Sequence, residues 1–132
     1  MSWRAIKDEF SFVNSSNLPS LPPVATTTGR TGTAIDLANT TGNAILFVPG
    51  LWTDGTHTPK LTESSDNTTY TDVAAADLVG SFSAVSSTAT AIGQKISYIG
   101  KLRYVRPVIT GTGTTTGMIA GFQQVLSNRK QP

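Results

Sequence analysis

Residues 103–126 read RYVRPVITGTGTTTGMIAGFQQVL, and the way this stretch folds decides the class of the whole chain. Residues 103–110 are a run of aromatic and β-branched side chains, the composition of a pleated strand. Gly111-Thr-Gly then supplies a turn signal, and residues 118–126 form a second apolar run. In that second run Ile119, Phe122, Val125 and Leu126 fit helical spacing as well as a strand. Gly117 and Gly121 each weaken a helix, so a strand is expected. Pro107 removes a backbone donor from the first run, which predicts an edge strand or a bulge there.

Outward from this pair the same grammar repeats. Further strands are expected near residues 33–37, 44–48, 58–64, 69–73 and 95–99, separated by turns at Thr41-Gly-Asn, Pro49-Gly, Thr53-Asp-Gly and Ser65-Asp-Asn. Residues 74–78 fit one helical turn after Asp72. Seven or eight short strands at close spacing predict an all-β fold, an antiparallel two-sheet β-sandwich of jelly-roll type.

The N-terminus reads differently. Trp3, Ile6, Phe10, Phe12 and Val13 are apolar anchors, and residues 14–23 (NSSNLPSLPP) are polar and proline-rich, favouring extended or polyproline geometry. The expected organisation is an extended N-terminal arm over residues 1–25 and a sandwich domain over residues 26–132. An arm of this kind lies across its own domain or reaches a neighbour; an N-terminal strand followed by a linker fits the same residues equally well. A tryptophan three residues from the terminus has few ways to be buried by its own chain, which suggests an intersubunit pocket for Trp3.

At 132 residues the chain has the length of one domain. Only 14% of residues are charged and 12 are glycine, so much of the surface must be neutral Thr, Ser, Asn and Gly. The absence of cysteine excludes disulfides and thiolate metal sites. No apolar run approaches the ~20 residues that span a bilayer, and Met1-Ser-Trp-Arg-Ala-Ile-Lys-Asp-Glu lacks the apolar core of a secretory signal. A protein made and used without export, away from membranes, is expected.

Charge is divided unevenly. Residues 1–77 hold all eight acids against four bases, a net of −4, whereas residues 78–132 hold six bases and no acid, a net of +6. If the halves form different faces, such asymmetry helps subunits dock on one another or on a charged scaffold. Lys101, Arg103, Tyr104 and Arg106 make a basic stretch with an aromatic in it, a pattern also found in nucleic-acid binders. The favoured reading is a charged edge that discourages sheet pairing, with Arg103 on one face and Tyr104 and Arg106 on the other, and no nucleic-acid partner is expected.

Catalytic constellations are not visible. His57, the one histidine, follows the tight turn Thr53-Asp-Gly, and no metalloprotease, nucleophile-elbow, phosphate-loop or calcium-loop pattern accompanies it. Asp66, Asp72 and Asp77 have plain uses as turn or cap residues. Trp52, Tyr70 and Tyr98 read as packing residues. The expectation is a protein that is not an enzyme and carries no cofactor or metal.

Three segments carry a resemblance. They are Thr53-Asp-Gly-Thr-His-Thr-Pro-Lys-Leu-Thr-Glu-Ser-Ser-Asp66, Thr71-Asp-Val-Ala-Ala-Ala-Asp-Leu-Val-Gly80 and Tyr98-Ile-Gly-Lys-Leu-Arg-Tyr-Val-Arg106. Across residues 33–127 the chain resembles small virion structural proteins of tailed bacteriophages, of the capsid cement or decoration type. Their pattern has a TDGTHT-like turn, an E-S-D-D-like turn, a D-L-x-G step and a G-x-x-R-Y-V-R strand. The chain departs from it at Asp66-Asn67, where Asp-Gly is expected, and the N-terminal arm lies outside the similar region. The resemblance implies a jelly-roll subunit on the capsid exterior, assembled in the host cytoplasm, that binds the major capsid protein shell and braces it. It also implies self-association, as a dimer or another homo-oligomer. Partner contacts are expected from Trp3, Arg4, Phe10 and Phe12 of the arm and from Arg103 and Arg106. The alternatives are a head-tail connector or tail structural protein, and a carbohydrate-binding sandwich that would need an exposed Trp52 beside Asp54 and His57.

Overall fold

From Met118 to Leu126 buried and less buried residues alternate except at Gly121, which is buried too, with Met118, Ala120, Phe122, Gln124 and Leu126 all lying in the interior. Period-two burial belongs to a strand with one face on a core, and it settles the ambiguity of this run in favour of the sheet. The computed structural model of the chain describes residues 21–128. Ten strands follow one another: β1 (Leu21–Thr26), β2 (Arg30–Thr31), β3 (Ile35–Asp36), β4 (Thr40–Trp52), β5 (Thr56–Ser64), β6 (Thr71–Asp72), β7 (Leu78–Val79), β8 (Gln94–Tyr98), β9 (Tyr104–Thr112) and β10 (Met118–Asn128). A 3-10 turn at Ala75–Asp77 follows β6, where a helical turn was expected.

The strands form two antiparallel five-stranded sheets. The first has the order β1-β10-β4-β8-β7; in the second, β2 and β3 both pair with β9, which is followed by β5 and β6. With β2 and β3 taken as one broken strand and β7 as an added edge, eight strands remain. The first pairs with the last (β1 with β10), the second with the seventh (β2/β3 with β9), the third with the sixth (β4 with β8), and the fourth with the fifth (β5 with β6). A long hairpin wound in this way into two sheets is a jelly roll. Pairing of β10 with β4 and of β9 with β5 then completes each sheet.

The core lies between the sheets. Ile45, Phe47, Ile96, Met118 and Phe122 come from the first sheet and Ile35, Leu61, Val105 and Ile109 from the second, with Val85 inserted from the loop before β8. Phe47, Phe82 and Phe122 form an aromatic cluster with centroids 5.2–6.4 Å apart, in tilted and edge-on geometries that suit their quadrupoles.

Several local expectations are corrected. Pro49-Gly50 is not a turn, because it lies within β4. Opposite it, Met118 pairs with Trp52 and Ala120 with Pro49, so β4 carries one extra residue, and this bulge absorbs the proline and glycine. The turn expected at Thr41-Gly-Asn lies slightly earlier, at Ala38 and Asn39, where Asn39 adopts φ 63°. Pro107 is neither at an edge nor at a bulge, since β9 is flanked on both sides. Its carbonyl accepts from Gly32 N–H, so its missing donor faces the break between β2 and β3, where no ladder bond is lost. Strand β1 (Leu21–Thr26) falls for most of its length within residues 1–25, the segment expected to be arm. Pro22 and Pro23 are accommodated there by a register shift between Leu21 and Val24 on an edge strand.

Candidate functional site

Strand β9 runs through the second sheet, and its inward residues Val105, Pro107 and Ile109 are fully buried. Alternation therefore turns Tyr104, Arg106, Val108 and Thr110 to the outer face, opposite Ser64, Thr62, Lys60 and Thr58 of β5. Arg103 precedes the strand, so the expected alternation does not govern it. Its guanidinium reaches the same outer face and grips both carboxylate oxygens of Asp36, at 2.9 and 2.8 Å, while its Cζ sits 5.0 Å from the Tyr104 ring centroid. Pairing of Asp36 with Tyr104 brings these groups together. The Arg103 hydrogen bonds hold the Asp36 carboxyl below its ordinary range.

Arg106 lies further along the face, its Cζ 3.8 Å from the centroid of Tyr70 and its Nε buried without an acceptor. Beside it Lys60 pairs with Asp72 at 3.0 Å. The result is a row of two arginine–tyrosine stacks and two ion pairs on the outside of a rigid sheet. Arg103 and Arg106 are thus on one face, and the strand that carries them is not the charged edge expected. Trp3, Arg4, Phe10 and Phe12 lie outside the described residues. Tyr70, Tyr104 and Asp36 were not singled out as partner contacts; each joins the row through pairing between strands distant in sequence.

The surroundings of His57 serve the fold. His57 is completely buried in β5, its backbone exchanges two hydrogen bonds of 2.8 Å with Val85, and Nε2 lies 3.0 Å from the Asp54 carbonyl. The Asp54 carboxylate accepts the backbone N–H groups of Thr115, Thr116 and Gly117. These bonds, Gly117 foremost, lower its pKa. Trp52 is half-buried and donates its indole N–H to the Gly55 carbonyl. Trp52, Asp54 and His57 thus hold the β4–β5 turn against the loop that follows β9, and they do not form the exposed sugar platform that a carbohydrate-binding reading needs.

A cleft of about 700 Å³ opens between the β3–β4 turn and the β8–β9 loop, lined in part by Asn43, Tyr98, Lys101 and Leu102. Its polar groups are committed to one another. The Asn43 amide pairs with both backbone groups of Tyr98, and Tyr98 Oη donates to Glu63 at 2.7 Å and accepts from Leu102 N–H. Burial, reinforced by Glu63, pushes the Tyr98 phenol up to about 12. Among the described residues no three His, Asp or Glu side chains are placed to share a metal ion, and no helix is long and apolar enough to cross a membrane. No family model, curated protein or solved structure matches the chain.

Proposed function

We propose that this chain is a non-enzymatic virion structural subunit, a capsid cement protein that binds the outside of a tailed-bacteriophage shell and braces it. The observation that carries the reading is the outer face of the second sheet, where Tyr104 and Arg106 of β9 stand together with Arg103, just before β9, and Tyr70, just before β6. Arginine and tyrosine are the side chains that most often dominate protein–protein binding energy, and stacking pre-orders the guanidinium groups before a partner arrives. An open sheet face of this kind suits another protein surface better than it suits a small molecule, which needs enclosure. The phage resemblance of the turn and strand motifs supplies the partner, the major capsid protein. Repetition of one modest contact over a symmetric shell supplies avidity, and self-association of the subunit adds to it.

The test is co-sedimentation of the purified chain with expanded capsid shells. Saturable binding at a stoichiometry of one or more copies per capsomer, weakened about tenfold or more by Arg106→Ala, supports the reading. Binding only to the portal or tail would favour the connector alternative, and no binding to particles would refute both.

A further inference from the structure

We propose that the cleft between the β3–β4 turn and the β8–β9 loop binds an extended, acidic segment of a partner protein. This inference is independent of the capsid reading. The cleft originates in one asparagine. Strands β4 and β8 pair from Phe47–Gln94 to Ile45–Ile96. Two residues further along, the Asn43 side-chain amide takes the backbone N–H and C=O of Tyr98, at 2.8 and 2.9 Å. A side-chain amide reaches further than a direct ladder bond, so the two strands part there, and the gap widens into the cleft of about 700 Å³. Ligand sites commonly span ~300–1,000 Å³. The walls are set before any ligand arrives: Tyr98 Oη is held between Glu63 and the Leu102 N–H, and Gly100 lies so close to the Tyr98 ring that a Cβ has no room there.

The lining specifies the occupant. Its charged residues are Lys101 and Arg103, and no acid lines the cleft. Lys101 is exposed and forms no ion pair among the described residues. Arg103 gives Nε and Nη2 to Asp36, which leaves Nη1 for a second carboxylate. Leu37, Ile99 and Leu102 line the same cleft, and Ile99 is 59% exposed. Cations beside aliphatic side chains complement a segment in which carboxylates alternate with apolar residues, because an extended chain turns successive side chains to opposite walls. The aromatic residue of the lining, Tyr98, is buried, so no ring is offered for a base or a sugar to stack on, and the cations therefore favour carboxylates over nucleic acid.

Amide-resolved NMR of the full chain tests this, by titration at low salt with an acetylated, amidated Leu-Glu-Leu-Glu-Leu peptide and with its glutamine counterpart. The expected result is saturable shifts at Thr41, Gly100, Lys101 and Leu102. Affinity should fall about tenfold or more for the glutamine peptide and for Lys101→Glu, an exposed substitution whose fold is checked by circular dichroism. Lys95→Glu, the same charge reversal outside the cleft, should leave affinity unchanged. Absence of cleft shifts at about 1 mM peptide would overturn the proposal. Equal binding of the two peptides, or an equal loss in Lys95→Glu, would do the same by reducing the effect to apolar contact or net charge. Equal affinity for free glutarate would also overturn it, assigning the cleft to a small organic acid.

Discussion

Phe47 is completely buried and touches both Phe82 and Phe122, so truncating it removes one corner of the aromatic cluster. Phe47→Ala should cost about 3–5 kcal/mol, measured by urea denaturation. Titratable residues add signatures at both ends of the pH scale. The backbone N–H groups of Gly117 and Thr116 favour ionised Asp54 in the folded state, and those of Thr69 and Thr68 do the same for Asp66. Both folded pKa values lie below those of the unfolded chain, near ~3.9. Their contribution is therefore complete above about pH 4 and is lost as pH falls through the depressed values. Asp54→Asn should be less stable than the parent at pH 7 and lose less in melting temperature between pH 5 and pH 2.5. Tyr98 works in the opposite direction: its folded value of about 12 exceeds the unfolded value of ~10. That stabilisation is present below pH 10 and disappears as pH rises toward 12, so Tyr98→Phe should flatten the alkaline limb of a melting-temperature profile.

At the scale of elements, what was legible in the sequence was what depends on local pattern. The runs that became β5, β8, β9 and β10 announce themselves through β-branched and aromatic residues, and the Thr53-Asp-Gly turn through its chemistry, with Gly55 at φ 83°. Gly55→Ala should destabilise the fold by at least about 1 kcal/mol, because an L residue is strained at that φ, and urea midpoints will show it. Less legible was anything that a distant strand decides. Pro107 sits within a sheet because the neighbouring strand is broken opposite its missing donor. Pro49-Gly50 stays inside β4 because β10 tolerates a bulge there, and β1 forms beside β10 despite two prolines. The candidate face followed the same rule. Arg103 and Arg106 are visible as a basic stretch, whereas Tyr70 and Asp36 reach them only through the pairings of β9 with β3 and of β5 with β6. Exposed pairs such as Arg103–Asp36 contribute little to stability. Their value on this face lies in orienting the arginine.

For the whole molecule, the jelly roll separates two outer faces of different character. The second sheet presents stacked arginines and ion pairs, while the first presents the exposed aliphatic side chains of Val48, Leu51 and Ile119. Tyr104→Ala and Arg106→Ala should each weaken shell binding about tenfold or more without lowering the melting temperature, whereas Lys95→Ala, on the other sheet, should leave binding unchanged. The proposed contact is between this charged, aromatic face and a capsid shell. Electron cryomicroscopy of shells decorated with the chain tests it most directly. The predicted result is density on the outer surface of the shell at repeated symmetry positions, with Tyr104 and Arg106 turned toward the major capsid protein. Density confined to the portal or tail, or decoration with this face turned to solvent, would contradict it.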